Sequence, residues 1–93
     1  MKRINFKKLK VEIKIGVYEN MDVAEQIGNT LHQESVTVPM SDLARKIYYS
    51  ESYVKISDDL FEGMINILNG RYKQFVIDAL MEASKEPDVQ EQK

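Results

Sequence analysis

Apolar and polar side chains alternate without interruption through Leu9-Lys10-Val11-Glu12-Ile13-Lys14-Ile15-Gly16-Val17. A period of two, carried largely by β-branched residues, predicts a half-buried β-strand. The odd-numbered side chains would form the buried face, and Lys10, Glu12 and Lys14 the exposed one. The phase breaks upstream, because Ile4 and Phe6 have even numbers, and a bulge or bend near Lys7-Lys8 would reconcile the two parts.

Two helices are predicted after this strand. Asp22 and Glu25 have the spacing of a capping box, with Asp22 in the cap position, and open a helix over about residues 23–33. Gly28 lies inside this helix and weakens it by about 1 kcal/mol relative to alanine. Pro39 suits the first turn of a second, short amphipathic helix.

The second half of the chain repeats the order of elements. A brief strand is predicted over residues 53–56, and the cap Ser57 with the acidic pair Asp58-Asp59 opens the next helix. Asn69-Gly70 ends that helix, with glycine at a position that favours a left-handed backbone. A last helix follows over about residues 71–84.

The expected fold is therefore a small α+β domain in the order strand, helix, helix, strand, helix, helix. A single domain would occupy residues 1–84, and residues 85–93 would form a flexible tail. A two-stranded ribbon is not stable alone, so it would pack on about four helices or be completed across a dimer. Because an unpaired alternating strand invites association, a homodimer is the more economical interpretation.

Composition limits the setting of this domain. The 93 residues include no cysteine, which excludes disulfides and cysteine-type zinc sites and fits a reducing compartment. No apolar run approaches the roughly 18–20 residues that span a bilayer. The expected location is the cytoplasm, with no membrane partner.

No pattern in the chain predicts catalysis. His32 is the sole histidine and lacks a neighbouring nucleophile and acid in a recognisable arrangement. Asp58, Asp59 and Glu62 are the densest acidic group, and capping a helix explains them better than metal binding or acid–base work. We therefore expect no enzyme, no metal and no cofactor, and a small hydrolase on these three acids is a distant alternative.

Basic residues are concentrated at the amino terminus. Residues 1–14 hold six basic side chains against Glu12, whereas the other 79 residues hold seven basic and fourteen acidic ones. Lys8, Lys10 and Lys14 would share one face of the first strand, and a two-stranded ribbon with such lysines can enter the major groove of DNA. Alternatively, these lysines keep an edge strand soluble or pair with the acidic helices. We take them as candidate nucleic-acid or partner contacts.

Tyrosines form a second candidate surface. Tyr48, Tyr49 and Tyr53 lie around a short polar segment. Helical spacing predicts that one of Tyr48 and Tyr49 is buried and the other exposed. Exposed tyrosines serve as binding anchors because they are large and amphipathic, although ordinary packing also explains the cluster.

Two resemblances bear on function. The segment from Val54-Lys55-Ile56-Ser57-Asp58-Asp59-Leu60 to Gln74-Phe75-Val76-Ile77-Asp78-Ala79-Leu80 resembles a ribbon-helix-helix repressor, which implies a DNA-binding dimer whose strand side chains read bases. Here the segment between the helices is shorter than usual, and the ribbon would offer only Tyr53 and Lys55 outward.

The second resemblance covers most of the chain. The leading strand, Ile27-Gly28-Asn29, Asp42-Leu43-Ala44-Arg45-Lys46-Ile47-Tyr48 and the Ser57-Asp58-Asp59 helix start are similar to short proteins of unassigned role that bacterial prophages and mobile elements carry. That resemblance implies an accessory or assembly role and transfers no site residue. The sequence thus favours a non-catalytic protein–protein interaction protein, with a small dimeric DNA-binding regulator as the alternative.

Overall fold

The computed structural model describes residues 2–85, which form four strands and four helices. In chain order these are β1 (Lys2–Asn5), β2 (Leu9–Lys14), β3 (Val17–Met21), α1 (Ala24–Glu34), α2 (Val38–Tyr48), β4 (Tyr53–Ile56), α3 (Asp58–Asn69) and α4 (Gln74–Ser84). The expected α+β class and the four helices are confirmed. The order of elements differs from the expectation by two additional strands, β1 and β3. Apart from Lys85, the expected tail lies outside the described residues.

The long first strand is in fact a hairpin. β2 ends at Lys14, the chain turns at Ile15-Gly16, and β3 returns antiparallel with Leu9 opposite Met21. Gly16 has a φ of +80°, a left-handed conformation that glycine adopts without steric cost. Ile15, expected on the buried face, is therefore 100% exposed, and Val17 is also exposed.

The other ribbon joins the start of the chain to its middle. β1 pairs antiparallel with β4, with Ile4 opposite Val54. The bend expected near Lys7-Lys8 separates β1 from β2, and Asn5 Oδ1 stabilises it by accepting from the backbone N–H of Lys7 at 3.0 Å and of Lys8 at 3.2 Å. Phe6 is fully buried at the start of the bend. The bend therefore accounts for the switch from even-numbered to odd-numbered buried positions.

Local capping explains where the helices begin. The Thr37 hydroxyl accepts from Met40 N at 3.3 Å before α2, and the Ser57 hydroxyl accepts from Leu60 N at 3.3 Å before α3. The expected capping box before α1 is only partly present. Val23 occupies the cap position, and Asp22 Oδ1 accepts from the N–H of Ala24 at 3.2 Å.

The turn after α3 differs from the expectation. Gly70 has a φ of −92°, in the right-handed region, so no left-handed glycine ends this helix. Because the chain makes a turn and a bend before it resumes helical geometry, α4 begins at Gln74 rather than at Arg71.

One hydrophobic core joins the helices to both ribbons. α1 packs most extensively on α2, while α4 packs on β2 and β1. Every buried residue in the described part of the chain is either apolar or a glycine. The largest fully buried side chains come from β1, β2, β4, all four helices and the bend: Phe6, Ile4, Leu9, Ile27, Leu31, Ile47, Ile56, Met64, Leu68, Leu80 and Val11. The polar side chains are therefore left for the surface, where the candidate sites lie.

Candidate binding grooves

A groove of about 490 Å³ lies where the two ribbons meet α4. We call it the ribbon groove. Its polar and aromatic lining comes from all four strands and the last helix: Arg3 and Asn5 of β1, Lys8 of the bend, Lys10 and Glu12 of β2, Tyr18 of β3, Tyr53 of β4, Phe75, Asp78 and Glu82 of α4, and Lys85 directly after α4. The groove thus depends on pairings between parts of the chain that are far apart in sequence.

Two of the sequence candidates for cationic contact lie in this groove. Lys8 and Lys10 are exposed and line it, and within residues 2–85 neither takes part in an ion pair. Lys14 is also exposed but lies beside the hairpin turn, outside the groove lining. The structure therefore separates the three lysines that the sequence grouped on one face.

Each of two cations lies over a tyrosine ring. The guanidinium carbon of Arg3 is 4.4 Å from the centre of the Tyr53 ring, and the Lys10 ammonium nitrogen is 5.0 Å from the centre of the Tyr18 ring. Both distances lie within the range of cation–π attraction. These contacts hold the two charges above aromatic surfaces at the groove.

The opposite wall of the groove is acidic. Asp78 and Glu82 are four residues apart on α4, so they share one face of that helix. Each has a partner: Gln74 Nε2 donates to Asp78 Oδ1 at 2.8 Å, and Lys85 Nζ lies 3.3 Å from Glu82 Oε2. The strand wall of the groove is therefore mainly basic, with Glu12 as its carboxylate, and the helix wall carries two carboxylates, with Lys85 beside Glu82.

The tyrosine candidates are divided between two places. Tyr53 joins Lys8 and Lys10 in the ribbon groove, whereas Tyr48 and Tyr49 line a separate groove of about 320 Å³ between α1 and α2. Tyr48 is half-buried and Tyr49 is exposed, with their rings edge to face at 4.9 Å. We call this second site the helix groove; its other described lining residues include His32 and Arg45.

Of the ribbon-groove lining, the sequence candidates included only Lys8, Lys10 and Tyr53; among the residues missed are Arg3 and Tyr18. Arg3 belongs to the basic amino-terminal run, which gave a local signal. Tyr18 gave none, because its place beside Lys10 depends on the hairpin turn at Gly16. Both residues reach the groove only through strand pairing.

The lining side chains define the functional groups that the ribbon groove can offer. Its lining offers cations, carboxylates, an amide and aromatic rings, but no histidine, serine or threonine. No cluster of three or more histidine, aspartate or glutamate side chains placed to hold a metal ion occurs in the described part of the chain. Within the same residues, no helix has the length and apolarity needed to cross a bilayer.

Comparison with protein families, with curated proteins and with solved structures found no match to this chain.

Proposed function

We propose that this protein is a non-catalytic interaction protein that binds a segment of a partner protein in the ribbon groove. The observation that carries the proposal is the meeting of Arg3, Lys8 and Lys10 with Tyr18 and Tyr53 in one groove. Arginine and tyrosine, which supply three of these five side chains, are residue types enriched at binding hot spots.

The acidic wall favours a protein segment over a nucleic acid. Asp78 and Glu82 line the same groove as the cations, and the whole chain has a formal net charge of −2. A phosphate backbone carries one sign of charge throughout, so it would meet repulsion along α4. A polypeptide can present an acidic side chain to the strands and a basic or neutral one to the helix.

The lining also indicates which side chains the segment carries. We propose an Asp or Glu facing Lys8 and Lys10, flanked by an apolar or aromatic side chain that packs on Tyr53 and Phe75. Because Lys10 already lies over Tyr18, less freedom of this side chain is lost when the partner binds. We propose an accessory or assembly role in the cytoplasm; the resemblance to prophage and mobile-element proteins stays a prediction from the sequence.

Selection from a displayed random-peptide library tests this proposal. Peptides recovered on the wild-type protein should be rich in acidic residues and should bind the double variant Lys8→Glu, Lys10→Glu at least tenfold more weakly, by about 1.4 kcal/mol or more. Both side chains are exposed, so the variant is expected to fold.

The matched control reverses two charges outside the groove. Lys14→Glu with Lys46→Glu changes the net charge equally at exposed positions. It should leave the affinity of the recovered peptides within about twofold, since long-range effects between exposed charges are screened by salt. Equal weakening in both double variants would show a non-specific charge effect and contradict the proposed site.

A DNA-binding regulator is the second candidate, and one observation favours it. Arg3 lies directly opposite Lys55 across the β1–β4 ribbon, and Asn5 lies opposite Tyr53. Like charges placed opposite each other destabilise a ribbon, and arginine is a side chain that reads guanine edges. The Asn5 amide oxygen already accepts from the backbone N–H groups of Lys7 and Lys8. The outward face of this ribbon thus adds Arg3 to the two outward side chains of β4, Tyr53 and Lys55.

Salt-dependent binding to a random duplex tests the second candidate. If the protein binds DNA, its affinity for the duplex should fall steeply as salt rises. Lys55→Ala should weaken the binding that is measured at low salt. No binding of the wild-type protein at low ionic strength would remove this candidate and leave the protein-binding proposal intact.

The homodimer expected from the sequence stays a prediction. It was inferred from a first strand without a partner in its own chain. The first strand pairs with β3 inside the chain, so β2 does not need a second copy as a partner. Light scattering during size exclusion at several protein concentrations measures the mass and decides the matter.

A further inference from the structure

β3 offers an open edge on the surface away from its partner strand. The sheet to which it belongs contains only β2 and β3, so on its other side β3 pairs with no strand of residues 2–85. All five residues of β3 are exposed, including Val17, Tyr18 and Met21. Edge strands with unpaired backbone groups and apolar side chains are templates for adding another strand.

Glu19 is the distinctive residue of this edge. It occupies the centre of β3 on the same face as Val17 and Met21, because side chains alternate along a strand. Its carboxylate is exposed, and no ion pair joins it to the rest of the described chain. An added strand would therefore place its central side chain next to an uncompensated negative charge.

This charge argues against a second copy as the occupant. If β3 paired in full antiparallel register with β3 of another copy, Glu19 would lie directly opposite the same glutamate. Like charges at directly opposed positions destabilise a strand pair. A lysine or arginine at that position would instead gain a favourable cross-strand pair.

We propose that β3 accepts an added strand from a partner protein with the pattern apolar, any residue, lysine or arginine, any residue, apolar. The central cation would pair with Glu19, and the two apolar side chains would lie beside Val17 and Met21. The pattern is symmetric, so it holds for a parallel or an antiparallel added strand. The edge shares Tyr18 with the ribbon groove, but the pairing with Glu19 does not depend on the groove cations.

Two synthetic peptides test the proposal on the full chain. One has the core Val-Thr-Lys-Thr-Val and the other the core Val-Thr-Glu-Thr-Val, each with blocked ends. Titration followed by two-dimensional amide NMR should show shifts in residues 17–21 with the lysine peptide. The glutamate peptide should bind roughly tenfold more weakly, because it loses one favourable pair and gains a repulsive one.

Charge reversal in the protein provides the decisive comparison. Glu19→Lys should invert the preference, so that the glutamate peptide binds more tightly than the lysine peptide. Glu51→Lys, at an exposed position between α2 and β4, should leave the wild-type preference unchanged. Absence of shifts in residues 17–21 with the lysine peptide, or equal affinity of the two peptides for the wild-type protein, would overturn the proposal. Either result would leave the ribbon-groove proposal standing, because no groove cation is altered.

Discussion

Arg3 and Tyr53 meet across the β1–β4 ribbon, with the guanidinium carbon 4.4 Å from the centre of the tyrosine ring. Arg3 is also directly opposite Lys55, so the contact with the ring offsets part of the repulsion between the two cations. The same contact places one cation and one aromatic ring at the ribbon groove. Stability of the ribbon and the shape of the binding surface therefore depend on the same pair.

A double-mutant cycle measures this contact. Arg3→Leu, Tyr53→Leu and the combined variant should give a coupling energy of about 0.5–1 kcal/mol, the range for cation–π pairs at exposed sites. Urea unfolding of the four proteins supplies the free energies. A cycle between Arg3 and Tyr49, which lines the other groove, should give a coupling near zero, and equal coupling in both cycles would contradict a specific contact.

Gly28 allows the close crossing of α1 and α2. A Cβ built on it would lie 2.8 Å from Tyr48 Cβ and 3.0 Å from the Ala44 carbonyl oxygen. Because these atoms belong to, or adjoin, the backbone of α2, they cannot move away independently. Gly28→Ala should therefore destabilise the protein despite the gain of about 1 kcal/mol in helix propensity.

Gly63 provides the matched control for this prediction. It also lies inside a helix, but a Cβ there would meet only the flexible end of Met40, its Cε at 3.0 Å. Gly63→Ala should be neutral or stabilising by up to about 1 kcal/mol, since the methionine can change rotamer. Thermal unfolding of both variants checks the contrast, and a Gly28→Ala protein more stable than the wild type would contradict the crossing.

Phe6 and Ile15 test the hairpin that replaced the expected strand. Phe6 is fully buried and its carbonyl accepts from Val23 N at 2.8 Å, whereas the Ile15 side chain is 100% exposed. Phe6→Ala should cost about 3–5 kcal/mol, and Ile15→Ala should change stability by less than about 0.5 kcal/mol. Denaturant titration distinguishes the hairpin from a continuous nine-residue strand, in which Ile15→Ala would lower the free energy of unfolding.

Gly16 and Gly70 test the two turn conformations. Gly16 has a φ of +80° and Gly70 a φ of −92°. Gly16→Ala should cost about 1–2 kcal/mol because alanine is strained in the left-handed region. Gly70→Ala should be neutral or stabilising by about 0.4–1 kcal/mol, since alanine adopts the native backbone and restricts the unfolded chain. A stability loss at Gly70 as large as at Gly16 would contradict this assignment.

The sequence predicts elements whose signals are local. Ser57 marks the start of α3 because its hydroxyl caps the first turn, and the stripe from Leu60 to Leu68 forms within one helix. The hairpin was missed because Ile15 and Val17 continue the alternation of the preceding strand across the turn. Periodicity alone does not distinguish a continuing strand from a turn when the turn residues keep the same pattern.

The ribbon groove was only partly predictable for a related reason. Lys8 and Lys10 were candidates because they lie in one basic run, but Tyr53 was grouped with Tyr48 and Tyr49 because they are near in sequence. Pairing of β1 with β4 moves Tyr53 to the groove. Such a pairing joins residues about fifty positions apart and leaves no local mark in either strand.

Amide NMR mapping of a library-selected peptide on the wild-type protein tests whether the ribbon groove is the binding site. We expect the peptide to shift the resonances of Arg3, Lys8, Lys10, Tyr18 and Tyr53 while leaving those of Tyr48 and Tyr49 unchanged. Shifts confined to Tyr48 and Tyr49, or a selection that recovers no peptide dependent on Lys8 and Lys10, would contradict it.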